Sequence, residues 1–258
     1  MGQDLVVAAL AVFAYMTVVF VVALFKKDNS IVDIAWGPGF ILVAALTFLF
    51  WPGASARQIL ANALVAAWGL RLGIHIALRN RGRGEDFRYA NWRRAWGRWF
   101  VPRSYLQIFL VQGALMLAVA FPVVLINRPG AAAGLGVLDG LGSALWITGF
   151  LFEAVGDRQL RVFKRDPVNK GKIMDRGLWR FTRHPNYFGE ALMWWGIFVI
   201  ALNQPWGWIG VIGPVVITSM LLFVSGIPMT ERLMEKTPGW EEYKRTTSIF
   251  IPWFKKAG

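Results

Sequence analysis

Seven separate stretches of this 258-residue chain are each apolar over roughly the 20 residues that a helix needs to cross a bilayer, and that repetition leaves few folds open. They run approximately over 5–25, 31–51, 58–78, 105–126, 137–155, 187–203 and 206–226. Lipid offers no water to the backbone, so each stretch must close its hydrogen bonds within itself, which dictates helices rather than open strands. The expectation is an all-α polytopic membrane protein with seven transmembrane helices, residues 1–258 forming one integral membrane domain. The fifth stretch is the weakest, because Gly134, Gly136, Gly140 and Gly142 crowd its start. Only Asn203-Gln204-Pro205, a tight turn, separates the sixth from the seventh. The first stretch has no basic segment before it and no small-residue cleavage site after it, so it reads as a permanent span rather than a signal peptide. The seven do not divide into mirrored halves, which argues against an inverted-repeat transporter.

Composition supports the bilayer reading. Hydrophobic residues make up 56% of the chain and the mean hydropathy is +0.46, yet the formal net charge is +13. Anionic headgroups or an anionic cofactor are the natural partners of that charge. With no cysteine, disulfides, thiolate metal sites and cysteine nucleophiles are excluded. The two histidines, His75 and His184, stand far apart, so no metal centre is expected.

The basic residues also orient the chain. An outside N-terminus places Lys26–Lys27, the 79–104 loop, the 156–186 loop and the tail in the cytoplasm, collecting 25 of the 28 Lys and Arg there. Arg57 and Arg128 remain outside, and Arg71 lies within a span. Such asymmetry sets topology and implies a multi-pass membrane protein with an outside N-terminus and a cytoplasmic C-terminus.

Ionisable residues within spans are costly and are functional candidates. They are Asp33, Arg71, His75, Glu153 and Glu190, and four of the five fall near the cytoplasmic helix ends, as around a pocket open to the cytosol. Simpler roles compete. Ser30 to Asp33 fits a helix-capping box, Glu153 could pair with Arg71, and tryptophans such as Trp36 suit an interfacial belt.

Three cytoplasmic segments carry more than charge. Arg79-Asn80-Arg81-Gly82-Arg83-Gly84 alternates arginines with glycines that let backbone approach an anion. Glu153, Asp157, Arg161 and Lys164 form one face of a helix that continues span five into the cytosol. The run Arg176 to Glu190 includes Arg183, His184, Asn186 and Tyr187, with Asn186 placed to cap span six at an anion-binding helix end. Guanidinium for phosphate, aromatic for base and carboxylate for ribose hydroxyls together suit a nucleotide. Anionic-lipid binding would explain the arginines but not Asp157, Asn186 and Glu190 among them. Nucleic acid is excluded by short loops tied to spans at both ends. Neither a Rossmann fingerprint nor a Walker loop occurs, so the site must be of another kind.

The run Arg176-Gly-Leu-Trp through Arg183-His-Pro-Asn-Tyr-Phe-Gly-Glu190 resembles the signature of the steroid 5α-reductase C-terminal family, in its bacterial branch. Ile31 to Trp36, Asn80 to Arg83 and Tyr243 to Pro252 resemble other parts of the same pattern. The resemblance implies seven spans, NADPH taken from the cytosol, and hydride delivery to the β-carbon of a 3-oxo-Δ4 steroid or similar enone lipid drawn from the bilayer. It implies cofactor roles for Asn80, Arg83, Asp157, Lys164, Lys172, Asn186 and Glu190, and for Arg232 and Tyr243 in the tail. Arg161, Arg183, His184 and Tyr187 join them from the segments above, while Trp36, Trp68 and His75 are the candidates to line the substrate.

The family polarises the substrate carbonyl with a Glu–Tyr pair. Asp33 stands near the Glu and would act protonated, which burial favours. The Tyr falls near Gly69, leaving Tyr15, Trp36 or His75 as alternatives for the second hydrogen bond. On this reading Asp33, Asn80, Asp157, Asn186 and Glu190 converge at the inner mouth of a monomer. Two rivals stand beside it. One is an S-adenosylmethionine-dependent enzyme similar to the isoprenylcysteine carboxyl methyltransferases, which share an Arg-His-Pro-x-Tyr element. The other is a non-enzymatic lipid-binding protein. The cations at Arg83, Arg161, Lys164 and Lys172 favour a phosphate-bearing cofactor over S-adenosylmethionine.

Overall fold

A polar seal and two lines of glycine organise the helices of this protein. The computed structural model describes residues 2–51, 53–130 and 134–255, and among them it is helical with no strand. Six helical stretches are long and apolar enough to cross a membrane, at Gly2–Lys26, Ile31–Phe50, Ala56–Asn80, Phe87–Ile126, Val137–Arg165 and Gly207–Met234. The protein is a multi-pass membrane protein by this measure. The expected span at 187–203 is the exception. It forms the helix Pro185–Ala201, whose 17 residues sit at the lower limit for a crossing, because Gln204 N bonds back to Ala201 O and ends it.

The chain forms two compact units, Met1–Gly136 with Ala201–Ile212, and Val137–Ile200 with Gly213–Gly258. The first contains α1 (Gly2–Lys26), α2 (Ile31–Phe50), α3 (Ala56–Asn80), α4 (Phe87–Trp96), α5 (Phe100–Ser104), a π-helical turn at Tyr105–Leu110, and α6 (Val111–Ile126). A capping box starts α3, where Gln58 N donates to Ser55 Oγ and Ser55 N to Gln58 Oε1. The box expected at Ser30–Asp33 does not form. Ser30 spends both its N–H and its hydroxyl on Asp28, and Asp33 is engaged elsewhere.

Glycine lets α2 and α3 touch through their backbones. A Cβ on Gly37 would lie 2.4 Å from Gly69 O, and one on Gly73 would lie 3.1 Å from the Pro38 ring. Small residues allow such close approach in lipid, where dispersion rather than hydrophobicity holds helices together. Beside this seam Phe40 meets both Trp36 and Trp68 edge-on, each at 5.2 Å. At the end of the unit away from Asp33, Asn127, which caps α6, ties that helix to α2 and α3. Its amide donates to Ala44 O and Thr47 Oγ1, its Oδ1 accepts from Asn62 Nδ2, and its backbone oxygen accepts from Gln58 Nε2. Nearby, the buried Asp4 pairs with Arg128 at 2.9 Å.

The second unit is built on α7 (Val137–Arg165) and α8 (Pro185–Ala201), followed by α9 (Ile212–Ser219), a π turn at Met220–Val224, α10 (Ile227–Met234) and α11 (Trp240–Thr246). As expected from its polar face, α7 runs unbroken through Glu153, Asp157, Arg161 and Lys164. Its antiparallel contact with α8 is a glycine seam. A Cβ on Gly142 would fall 2.5 Å from Gly196 O, one on Gly149 2.5 Å from Gly189 O, and one on Gly156 3.2 Å from the Pro185 ring. The glycines recur at seven-residue spacing on both helices, so one stripe of each is bare.

Candidate active site

The glycine seam determines which polar groups meet in the second unit. Because Gly156 admits Pro185, the first turn of α8 lies against α7. Asn186 Nδ2 then donates to Asp157 Oδ1 at 3.2 Å. That leaves Asn186 Oδ1 buried with no hydrogen-bond partner among the described residues. A buried acceptor left unmade costs about 1–3 kcal/mol, which is offset when a ligand donates to it. Glu153 is buried and Glu190 half-buried on the same two helices. Further along α7 and the segment after it, Arg161, Lys164 and Lys172 are exposed, and so is Arg232 on α10.

The rest of the signature run holds the C-terminal tail. Arg183 is 7% exposed and His184 3%. Arg183 Nε donates to Glu231 Oε1 at 2.8 Å, its Nη1 donates to Lys244 O at 2.7 Å and Thr247 O at 3.3 Å, and its guanidinium lies over Trp240. His184 Nε2 shares the same Glu231 oxygen at 3.1 Å. Burial lowers the His184 pKa below its ordinary value of 6.5 and outweighs the opposing pull of Glu231. Its ring stacks on Tyr187, whose hydroxyl meets Thr230 Oγ1 at 3.0 Å. Tyr243 donates its phenol to Trp179 O at 2.6 Å, while Trp179 Nε1 donates to Gly156 O at 3.1 Å. Burial raises the Tyr243 pKa, so the phenol stays protonated and donating. Bonds from Arg183 N to Ser248 O, Thr182 Oγ1 to Phe250 O and Trp253 N to Phe181 O complete the clamp. Thus Arg183, His184 and Tyr243 have their polar groups engaged within the chain. They fix the loop that carries Asn186.

In the first unit Asp33 occupies the first turn of α2 as an acceptor. Tyr89 donates its hydroxyl to Asp33 Oδ1 at 2.6 Å, and Arg88 Nη2 donates to Oδ2 at 2.5 Å. Arg88 is held in turn by Asp86, which caps α4 by accepting from Arg88 N at 3.0 Å and from Arg88 Nε at 2.8 Å. Burial would raise the Asp86 pKa, but the Arg88 contacts outweigh it and hold the carboxyl below its usual range. Glu85 is likewise lowered despite burial, through hydrogen bonds from Arg93 and Asn29 N. Arg88 and Tyr89 thus each engage one oxygen of the Asp33 carboxyl.

Among the alternatives for the second donor, Tyr15 gives its proton to Ala35 O at 2.8 Å. His75 and Trp36 are half-buried, and Trp68 is 1% exposed in the core. Tyr89 was not singled out by sequence, because the arginine density of 79–104 marks it as a loop. Asp86 as a cap for an amphipathic turn was the available signal. On the same stretch Asn80 ends α3, its Oδ1 accepts from Arg79 Nε at 3.3 Å, and Arg83 N bonds to Asn80 O through the left-handed Gly82. Arg83 is exposed. No metal-binding group of His, Asp or Glu exists among the described residues.

Residues 19–247 match a family described as a protein of unknown function, DUF1295. The chain belongs to the DUF1295 family. It is 26% identical to an uncharacterized protein of Schizosaccharomyces pombe, over 96% of this chain and 79% of that protein. It is 32% identical over 111 residues to 3-oxo-5-alpha-steroid 4-dehydrogenase 1 of Bos taurus, and 33% identical over 113 residues to steroid 5-alpha-reductase DET2 of Arabidopsis thaliana. Each of those two alignments covers 43% of this chain and 40% of the reductase. No solved structure matches.

Proposed function

We propose that this DUF1295 member is an NADPH-dependent membrane reductase that saturates the C=C bond of an apolar enone, a 3-oxo-Δ4 steroid or a similar lipid. One observation carries the reading. Asn186 Oδ1 is a buried acceptor without a partner among the described residues, in the first turn of a helix and oriented by Asp157, with exposed Arg161 and Lys164 further along α7. These groups fit a phosphorylated dinucleotide: a helix N-terminus and cations for phosphate, and an amide oxygen and carboxylates for amide or hydroxyl donors. The similarity to the two named steroid reductases supports the same chemistry.

In this account Asp157, Asn186, Tyr187 and Glu190 bind the cofactor with Arg161, Lys164, Lys172 and Arg232, and the family resemblance makes Asn80 and Arg83 further cofactor candidates. Arg183, His184 and Tyr243 are positioning residues for that loop. When bound, NADPH supplies the hydride. In the first unit a protonated Asp33 would donate to the Tyr89 oxygen and so free the phenol proton for a substrate carbonyl, while the Arg88 cation holds the other Asp33 oxygen. Donors held in place before charge develops lower the barrier to an enolate. Trp36 and His75 line the apolar side, with Trp68 supporting Trp36 through Phe40. The charge asymmetry supports an outside N-terminus and a cytoplasmic tail, with α8 as a short seventh crossing, and the family resemblance implies the bacterial inner membrane as the location.

Thermal stabilisation of the purified chain tests the cofactor. A ligand that binds the folded state at a hundredfold excess over its Kd adds about 2.7 kcal/mol. NADPH should raise the unfolding temperature, S-adenosylmethionine should not, and Asn186→Ala should lose most of the shift. Stabilisation by S-adenosylmethionine instead would replace this function with methyl transfer.

A further inference from the structure

The helical stretch Phe87–Ile126 is 40 residues long, about 60 Å of helix, roughly twice the ~30 Å hydrocarbon thickness. Residues 105–126 alone suffice for the crossing, so Phe87–Ser104 has to lie outside the hydrocarbon. The chain breaks within it. Gly97 adopts φ +49° and separates α4 from the turn that leads to α5. The side chains on this segment suit the interfacial plane. Phe87, Trp92 and Trp99 are 48%, 38% and 55% exposed, and Trp92 stacks on Trp96 at 5.5 Å. Amphipathic aromatic rings with arginines beside them are the composition of a helix lying at the headgroup level.

Charge then selects the headgroup. Phe87–Ser104 carries five arginines and no Asp or Glu. Two are neutralised inside the unit, Arg88 by Asp33 and Asp86, and Arg93 by Glu85 at 2.8 Å. The other three, Arg94, Arg98 and Arg103, are exposed, and no described carboxylate pairs with them. Arg94 bonds only to Asn91 Oδ1, and Arg98 lies over the Trp99 ring. We propose that Arg94, Arg98 and Arg103, set among Trp92, Trp96 and Trp99, form an in-plane binding surface for the phosphates of anionic phospholipid headgroups. Guanidinium suits a phosphate diester because its fork donates to two oxygens at once, and the indoles seat the glycerol and upper acyl region. The surface does not depend on the nucleotide reading, since it uses none of the residues assigned to it.

The test uses the full chain in zwitterionic detergent, with phosphatidylglycerol, phosphatidylcholine or inorganic phosphate added, read by unfolding temperature and by lipid adducts in native mass spectrometry. Phosphatidylglycerol should stabilise and remain bound, and raised salt should weaken it. Phosphatidylcholine and inorganic phosphate should do neither. Replacing the three arginines together (R94Q, R98Q, R103Q) should lower the apparent affinity on the order of 100-fold, each basic residue near a charged surface being worth about a tenfold factor or less. The control set R158Q, R165Q and K170Q should bind as the parent does. Equal binding of phosphatidylglycerol by the triple variant, or equal stabilisation by phosphatidylcholine, would show that these arginines serve topology alone and overturn the proposal. An equal effect of inorganic phosphate would assign them to a soluble ligand and also overturn it. The salt dependence and headgroup preference are read on the unmodified chain, so a variant that fails to fold does not shield the idea.

Discussion

Gly189→Ala adds a single methyl group to α8, yet the second unit should lose stability. The new Cβ would lie 2.4 Å from Gly149 O and 2.5 Å from Glu153 N, both backbone atoms that cannot rotate away. Relief requires α7 and α8 to separate by about an ångström along their seam, and overpacking of this kind costs about 1–3 kcal/mol or more. Against this stands the gain from replacing glycine by alanine in a helix, about 0.5–1 kcal/mol. Two backbone contacts this close put the cost at the upper end of its range, so the net is a loss of about 2 kcal/mol. Gly140→Ala, on α7 with nothing within 4 Å of its Cβ, has only the gain. Thermal unfolding of the two variants and the parent in the same detergent should therefore show shifts of opposite sign. If both substitutions raise the unfolding temperature equally, close backbone contact at the seam is wrong.

Three further outcomes follow from the clamp and the carboxylate cluster. Arg183→Met leaves Glu231 and two carbonyl oxygens without their donor, and breaking a buried pair on one side costs about 3–5 kcal/mol; Glu231→Gln in the same chain should recover part of that loss in a double-mutant cycle. His184, whose pKa is lowered in the folded state, binds fewer protons there than in the unfolded chain, so stability is full above 6.5 and falls as pH drops through its folded value. His184→Gln should remove that acid-side slope in pH-dependent unfolding. Asp86→Ala should weaken the hold on Arg88 and remove the α4 cap, at a cost of about 0.5–2 kcal/mol in thermal unfolding.

Much of this architecture could be read from the residues, and the contacts that could not be read share one cause. The polar face of α7 was legible because Glu153, Asp157, Arg161 and Lys164 repeat at helical spacing, and Asn186 stood out near a helix start, although it lies inside the first turn of α8, with its amide on Asp157, and not at the cap position expected. Both signals are local. The hold of Arg183 and His184 on Glu231 was not legible, because that partner lies 48 and 47 residues away and no spacing rule connects them. Gly142, Gly149 and Gly156 recur every seven residues, as do Gly189 and Gly196, yet glycine alone registers as helix weakness until the two stripes face each other. Tyr89 was hidden among arginines whose density marks cytoplasmic loop. A density count does not show that Asp86 starts a helix and aims Tyr89 at Asp33.

The central claim is that this chain reduces an enone with NADPH, with Tyr89 held by Asp33 as the donor to the carbonyl. The most direct measurement is enone-dependent NADPH oxidation by the purified, reconstituted protein with a 3-oxo-Δ4 steroid, comparing the parent with Tyr89→Phe at matched NADPH affinity. The account predicts turnover by the parent with appearance of the saturated ketone, and a fall on the order of 100-fold or more in Tyr89→Phe, as when one preorganised donor is removed from an oxyanion site. Parent turnover unchanged in Tyr89→Phe would contradict the assignment of the donor, and NADPH binding without oxidation across a panel of apolar enones would contradict the reaction itself.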